Sequence, residues 1–76
     1  PFNSFTTIRI FSDKRQTVVI QTFDLFDREL ERKNNISIQP GFTELQWEGK
    51  DYPSSIYFIK ISSFSSFYYK KLILLK

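Results

Sequence analysis

Apolar and polar residues alternate through the first third of the chain. In residues 6–11, Ile8 and Ile10 face one way and Arg9 faces the other, and this period of two is typical of a half-buried β-strand. A polar turn at residues 12–16 leads to a second predicted strand at residues 17–23. The face of that strand predicted to pack in the core is the more continuously β-branched one, formed by Val18, Ile20 and Thr22.

Three further strands are predicted in the second half of the chain, each bounded by turn-forming residues. The first alternates so that its inward face carries Thr43, Leu45 and Trp47, and the second is dense enough in Ile, Tyr and Phe to predict burial on both faces. Five or six short strands separated by turns favour a β-sandwich. The segments are a turn at Pro40–Gly41, a strand at 42–47, a loop at 48–55, a strand at 56–61, a Ser- and Phe-rich connection at 62–67 and a strand at 68–75.

The sequence of Asp24–Asn35 is compatible with either a helix or a strand. Asp24 is a residue type that caps helices, and Asp24 with Arg28 has the i,i+4 spacing that stabilises them. The apolar residues of the segment span barely one helical turn, and short isolated helices are weak. Propensity alone therefore does not decide this segment.

Composition narrows the possible functions. With 76 residues, the chain forms one domain, 1–76, which buries only about 60% of the surface of its unfolded form. It contains no Cys and no His, which excludes disulfides, thiolate metal sites and a Ser-His-Asp triad. We predict that the protein is not an enzyme and that it uses no cofactor and no metal.

Charge and hydropathy predict that the chain neither binds nucleic acid nor contains a membrane-spanning helix. Eleven Lys and Arg against eight Asp and Glu leave a net charge of +3 that is spread along the chain, which is typical of a solvated surface. No apolar run approaches the roughly 18 residues of a membrane-spanning helix. The chain begins at Pro1 without an initiator Met, so we expect it to be a piece of a longer protein.

Acidic residues offer two kinds of candidate site, and each has a simpler structural interpretation. Paired carboxylates can share acid–base work, but Asp in turns usually accepts hydrogen bonds from nearby backbone amides. Neighbouring carboxylates can also gather around Ca²⁺, but these lack the loop pattern of a calcium hand. The pairs are Asp24/Asp27 and Glu48/Asp51, and the possible metal group is Asp24, Asp27, Glu29 and Glu31.

Aromatic residues offer a third candidate. Trp47, Tyr52 and Tyr57 could form a platform on which sugars stack, although Trp47 falls on the inward register of its strand and is predicted to be core. The segment Tyr68–Lys71 combines aromatic and basic residues as single-stranded nucleic-acid grooves do. It equally suits an edge strand, where Lys discourages unwanted pairing, and we favour that interpretation.

Five segments of the chain form an ordered series: Pro1-Phe2-Asn3-Ser4 with Thr6–Arg9, Val18–Leu30, Pro40–Gly41 with Leu45–Asp51, Pro53–Lys60, and Lys70–Lys76. Taken in that order, they resemble the type A C-terminal sorting domains of type IX secretion, whose Asn-Pro-Phe-Asn entry and first strand are similar to the first segment. Each motif is weak alone, but five in series over nearly the whole chain are fairly specific.

Two turns depart from the family pattern. Asp27 and Ser55 stand where the family has Gly, a residue that commonly serves positive φ. Asp tolerates positive φ better than Ser, so both turns are expected to be strained or remodelled. The first Asn of the entry motif is absent. The resemblance also favours a strand, a tight turn at Leu25–Asp27 and another strand for Asp24–Asn35.

The resemblance implies a fold and a function. The fold is a small Ig-like antiparallel β-sandwich of about six to seven short strands, similar to the flagellar hook-cap domain. The function is that of a signal: the domain directs an upstream cargo across the outer membrane, is recognised by the translocon there, and is commonly removed by a sortase that attaches the cargo to surface lipopolysaccharide. The expected signal residues are Lys70, Lys71, Leu72, Ile73, Leu74, Leu75 and Lys76, with Gly49, Pro53, Ile56 and Tyr57 shaping the neighbouring loop.

Two other functions fit the same sequence. One is an Ig-like accessory module of a secreted enzyme, with carbohydrate bound through Tyr52 and Tyr57. The other is a structural module of a flagellar or surface assembly.

Overall fold

A computed structural model describes residues 5–76, and all regular structure in that range is β-strand. The predicted all-β class is therefore confirmed, with six strands in the described range. Residues 1–4, which include the entry segment of the family resemblance, lie outside it. The strands are β1 (Phe5–Ser12), β2 (Gln16–Phe23), β3 (Glu29–Ile38), β4 (Gly41–Glu48), β5 (Ser55–Ser62) and β6 (Phe67–Leu74).

The strands form two antiparallel sheets, one of two strands and one of four. The smaller sheet is β1-β4, and the larger has the order β3-β2-β5-β6. Along the strands, residues that face the other sheet alternate with more exposed residues that face outward, so the two sheets bury their inward faces against each other. The result is the predicted small β-sandwich.

Both sheets contribute side chains to the core. Fully burying an aliphatic or aromatic side chain stabilises the fold by roughly 1.5–3 kcal/mol, so these residues dominate folding. The predicted inward faces are correct: Val18 and Thr22 are buried on β2 with Ile20 half-buried. The buried apolar residues are Ile8, Val18, Ile38, Trp47, Tyr57, Ile59, Ile61, Leu72 and Leu74.

The prediction that the strand at 56–61 is buried on both faces is wrong. Tyr57, Ile59 and Ile61 are buried against the smaller sheet, but Ile56, Phe58 and Lys60 on the opposite face are only half-buried. Within residues 5–76, no third layer covers the outer face of the larger sheet. This strand therefore has one buried face and one partly exposed face, although both faces are rich in apolar residues.

The segment Asp24–Asn35 forms a tight turn followed by β3, as the family resemblance implied. The Asp24 carboxylate accepts hydrogen bonds from the backbone N–H groups of Phe26 and Arg28, both at 2.9 Å, and from the Arg28 Nε at 2.7 Å. The backbone N–H of Asp24 donates to the Arg28 carbonyl at 3.0 Å, and that of Asp27 to the Asp24 carbonyl at 3.1 Å. The i,i+4 pair that would suit a helix here closes a turn instead.

This turn also explains the electrostatics of Asp24. Burial acts to raise the pKa of its carboxyl, but the hydrogen bonds from Arg28 and Phe26 and the Arg28 charge outweigh burial, so the pKa lies below its ordinary value. A carboxylate held ionised by turn amides is a structural group. The hydrogen bonding therefore agrees with the structural interpretation of the Asp24/Asp27 pair.

The two positions where the family has Gly differ from each other. Asp27 has a φ of 63°, in the left-handed region that favours Gly, whereas Ser55 has no positive φ and opens β5. We expect Asp27→Gly to raise the free energy of unfolding by about 0.5–1 kcal/mol because it relieves that strain. Ser55→Gly is expected to lower it by a similar amount, about 0.5–1 kcal/mol, because Gly weakens a strand. Urea denaturation of both variants checks this, and changes of the same sign would contradict it.

Candidate functional site

Strand β6 lies at one edge of the larger sheet. Within the described range it pairs only with β5, over eight residues from Ser55↔Leu74 to Ser62↔Phe67 without a shift in register. The opposite edge strand, β3, pairs with β2 through two register shifts, and Asn35 within it has a φ of 57°. Such irregularities make an edge a poor template for another strand, so β6 offers the more regular edge of this sheet.

The residues of β6 divide between two faces. Leu72 and Leu74 point inward and are buried, opposite Tyr57 and Ser55 of β5. Ile73 points outward and is 63% exposed, and Lys71 on the same face is also exposed. Apolar residues on the inward face thus hold the strand in place, while its outward side chains and its free edge stay accessible.

The residues after β6 are tied to the β4–β5 loop. The backbone N–H of Lys76 donates to the Ser54 hydroxyl at 2.9 Å, and the Lys76 ammonium donates to the Lys50 carbonyl at 2.5 Å. The loop itself is closed by a hydrogen bond from the Tyr52 N–H to the Gly49 carbonyl at 3.0 Å. These contacts bring residues 72–76 and residues 49–57 together at one end of the sandwich.

Gly49 occupies the contact between the loop and β6. A Cβ atom at this position would lie 2.8 Å from Leu74 Cδ2 and 2.8 Å from Trp47 Cζ3. Real Cβ atoms do not approach other heavy atoms this closely, so only Gly allows the loop to pack here. The backbone at Gly49 therefore sets how β6 and the loop fit together.

Behind this contact, three aromatic rings stack on one another. The ring centroids of Tyr52 lie 5.7 Å from Trp47 and 5.4 Å from Tyr57, and Trp47 and Tyr57 are 5.4 Å apart. Each polar atom has a partner: the Trp47 Nε1 donates to Thr22 Oγ1 at 3.3 Å, the Tyr57 hydroxyl to the Pro53 carbonyl at 2.6 Å, and the Tyr52 hydroxyl to Glu31. Burial and the Glu31 carboxylate raise the pKa of Tyr52, and burial together with the charge of Asp24 raises that of Tyr57.

This stack is part of the core. Trp47 is buried, as its inward register predicted, and Tyr57 is buried beside it. Tyr52 is half-buried and packs against the same cluster. A sugar platform formed by these three rings is therefore not exposed. Their hydrogen bonds instead position Pro53 and the loop.

Most of the predicted signal residues lie at this end of the sandwich. Gly49, Pro53 and Tyr57 lie beside the end of β6, and Ile56 pairs with Ile73 on the outward face. Lys70 and Lys71 lie farther back along β6, opposite Ile59 and Phe58. Leu75 follows the strand and is exposed, and Lys76 reaches the loop.

An exposed aromatic pair on β6 was not among the predicted site residues. Phe67 and Tyr69 are 64% and 51% exposed and meet edge to face with centroids 5.7 Å apart. The Lys60 ammonium lies 5.2 Å from the first ring and 5.8 Å from the second. Alternation along residues 67–74 places them on one face, but only the pairing of β5 with β6 brings Lys60 to them.

Two other kinds of site are not found in the part of the chain that the structure describes. No three His, Cys, Asp or Glu residues in residues 5–76 are grouped so that they could hold a metal ion. No helix in this range has the length and apolarity needed to cross a membrane.

Comparison with known proteins found no matching family model, no matching curated protein and no matching solved structure.

Proposed function

We propose that this chain is a non-catalytic sorting domain that directs a cargo protein across the outer membrane by type IX secretion. Two observations support the proposal. Five segments resemble the family in the right order, and the β6 segment that resembles the family's terminal motif forms a regular strand whose other edge is unpaired within residues 5–76. The second observation carries the proposal, because a sorting signal that catalyses no reaction has to be recognised by a partner through its surface.

Recognition in this proposal uses strand addition. A partner sheet that pairs with the free edge of β6 gains affinity from backbone hydrogen bonds and specificity from alternate side chains. The outward residues Lys71 and Ile73 would contact the translocon, and Leu72 and Leu74 would hold the strand in register. Lys70 and Lys71 also discourage pairing between copies of the domain.

The proposal places the domain in the periplasm in transit, followed by surface attachment or release of the cargo. The partners are the outer-membrane translocon, the sortase and the cargo domain of the same chain. In this proposal the domain is recognised in its folded form, because Leu72 and Leu74 are buried and an unfolded tail would not present β6 as a regular edge.

A secretion assay tests the proposal. Residues 1–76 are fused to an exported reporter in a bacterium that has type IX secretion and in a strain without the translocon. We expect surface or released reporter only in the first strain. Deletion of Leu72–Lys76 is expected to leave the reporter in the periplasm, but it also removes two core residues, so a second variant is needed.

The second variant changes only exposed side chains. Lys71→Glu with Ile73→Asp reverses one charge and removes one apolar contact on β6, and we expect about ten-fold less surface reporter. Arg9→Glu with Phe11→Asp makes the same chemical change on β1 and should secrete as the parent does. Circular dichroism of the purified domains confirms that both variants fold. Normal secretion of the β6 variant, or equal loss in the β1 control, would contradict the proposal.

The exposed pair Phe67 and Tyr69 favours a second candidate, a carbohydrate-binding accessory module. Exposed rings beside a Lys suit an acidic sugar, through stacking and charge. Phe67→Ala with Tyr69→Ala is expected to abolish glycan binding on this hypothesis. Phe64 is an exposed ring in the connection between β5 and β6, and Phe64→Ala is the control for the loss of an exposed ring. Absence of glycan binding by the parent domain would rule this candidate out.

A further inference from the structure

The smaller sheet leaves one side of the sandwich open. Within residues 5–76, β4 pairs only with β1, and its other edge borders a cleft of about 260 Å³ between β4 and β3. Two strands do not cover the inward face of four, so this cleft follows from the strand count. The cleft lies on the side of the sandwich formed by β3 and β4. It is separate from the end of β6 that contacts the β4–β5 loop.

The floor of the cleft is apolar. Ile20, Ile36 and Leu45 line it, and all three are half-buried side chains packed against the core. Covering the exposed part of such side chains is favourable in water, because it removes apolar surface from solvent. Beside them the edge of β4 runs for eight residues in regular register with β1, so its outer backbone groups form an ordered template for pairing.

The rim of the cleft carries acidic groups. Glu44 and Glu48 are exposed on the outward face of β4, four residues and about 13 Å apart. Neither forms an ion pair within the described range. Arg9, which lies opposite Glu44 on β1, packs over the Phe42 ring at 4.1 Å. On the β3 side, Glu31 accepts the Tyr52 hydrogen bond, and among the described residues that line the cleft Lys33 is the one basic residue.

We propose that β4 accepts an extended segment of a partner protein as the third strand of the smaller sheet. The partner segment carries apolar residues at alternate positions that fill the cleft and two Lys or Arg residues, four positions apart, that lie opposite Glu44 and Glu48. Cross-strand pairs of opposite charge stabilise a sheet, and like charges destabilise it. This inference does not depend on the sorting function, which uses the other sheet.

The charge pattern favours a partner protein over a second copy of this domain. None of the six strands carries two basic residues four positions apart. The two basic residues of β6, Lys70 and Lys71, are adjacent, and so are Arg32 and Lys33 of β3. Because neighbouring residues of a strand point to opposite faces, the two side chains of each pair cannot lie on one face. Arg28 and Arg32 are four positions apart, but Arg28 precedes β3 and its Nε donates a hydrogen bond to the Asp24 carboxylate in the turn. A strand of a second copy therefore would not place two basic side chains against Glu44 and Glu48.

Peptide titration tests the proposal. The probe is a capped nine-residue peptide in which Val and Ile alternate with Thr and Lys, with the two Lys four positions apart; the control peptide has Glu in place of both Lys. We expect the Lys peptide to shift the backbone amide resonances of residues 43–47 and the Trp47 indole resonance. The Glu peptide is expected to bind about ten-fold more weakly. Shifts confined to β6 or β3, or equal affinity for the two peptides, would overturn the proposal.

A matched pair of variants locates the charge effect. Glu44→Lys with Glu48→Lys is expected to weaken binding of the Lys peptide by about ten-fold and to strengthen binding of the Glu peptide. Asp13→Lys with Asp51→Lys changes the net charge equally but lies outside the cleft, and should bind as the parent does. Equal effects of the two variants would show a general charge effect and overturn the proposal. So would a concentration-dependent dimer that only Glu44→Lys with Glu48→Lys dissociates, because the occupant would then be a second copy.

Discussion

Trp47→Ala is expected to lower the free energy of unfolding by about 3–5 kcal/mol, the range for large aromatic residues removed from cores. The ring lies between the two sheets and touches both Tyr52 and Tyr57. Its removal leaves a cavity that the rigid β-sheets around it cannot close. It also removes the donor that reaches Thr22 Oγ1, so a buried hydroxyl loses its partner.

The size of the domain makes this change severe. A chain of this length has a free energy of unfolding of roughly 4–11 kcal/mol, so Trp47→Ala removes a large part of the total. Urea denaturation followed by circular dichroism measures the difference. Trp47→Phe keeps an aromatic ring in the stack and should cost roughly half as much or less.

Phe42→Ala is the matched control for an aromatic residue outside the core. Phe42 is 63% exposed and contacts Arg9 and Phe11 at the surface. Its removal is expected to cost about 1 kcal/mol or less. If Trp47→Ala and Phe42→Ala had equal effects, the aromatic stack would not be the centre of this core.

The strand faces were predictable because residues i and i+2 of a strand point the same way whatever the strand pairs with. That local rule placed Val18, Thr22 and Trp47 inward, and all three are buried. The turn at Leu25–Asp27 was not predictable from propensity. It depends on how one carboxylate, that of Asp24, satisfies two backbone amides and Arg28 at once.

The partial exposure of the outward face of β5 was also not predictable, for a different reason. Ile56 and Phe58 are as apolar as the residues between them, so composition predicts burial on both sides. Whether a face is covered depends on how many layers the fold has, and in the described part of the chain there are two. Strand order is equally non-local, since β1 pairs with β4 about 35 residues away along the chain.

The candidate site was likewise predictable only in part. The β6 residues form one edge strand, as the Lys residues of the segment Tyr68–Lys71 indicated. The contacts that join its end to the β4–β5 loop were not visible in the sequence, because Lys76 meets Ser54 and Lys50 only in the folded protein. Gly49 was singled out by resemblance, and its physical role emerges from its contact with Leu74.

Gly49→Ala is expected to lower the free energy of unfolding by about 1–3 kcal/mol, because an added methyl group overpacks a filled site. Both atoms it would meet at 2.8 Å, on Leu74 and Trp47, belong to buried side chains. Ser54→Ala, in the same loop, is the control and should cost less than about 1 kcal/mol.

A double-mutant cycle tells overpacking from a general loss of the loop. If the methyl group collides with Leu74, then Leu74→Ala makes room for it, and Gly49→Ala with Leu74→Ala should be less destabilised than the sum of the two single variants. We expect a favourable interaction energy of about 1 kcal/mol from urea denaturation of all four proteins. Additive effects would mean that Gly49 acts through its backbone freedom and not through its contact with β6. The contact between Gly49 and Leu74 joins the loop to the edge strand. A favourable interaction energy would therefore also mean that a substitution in the loop can change how the edge of β6 is exposed to a partner.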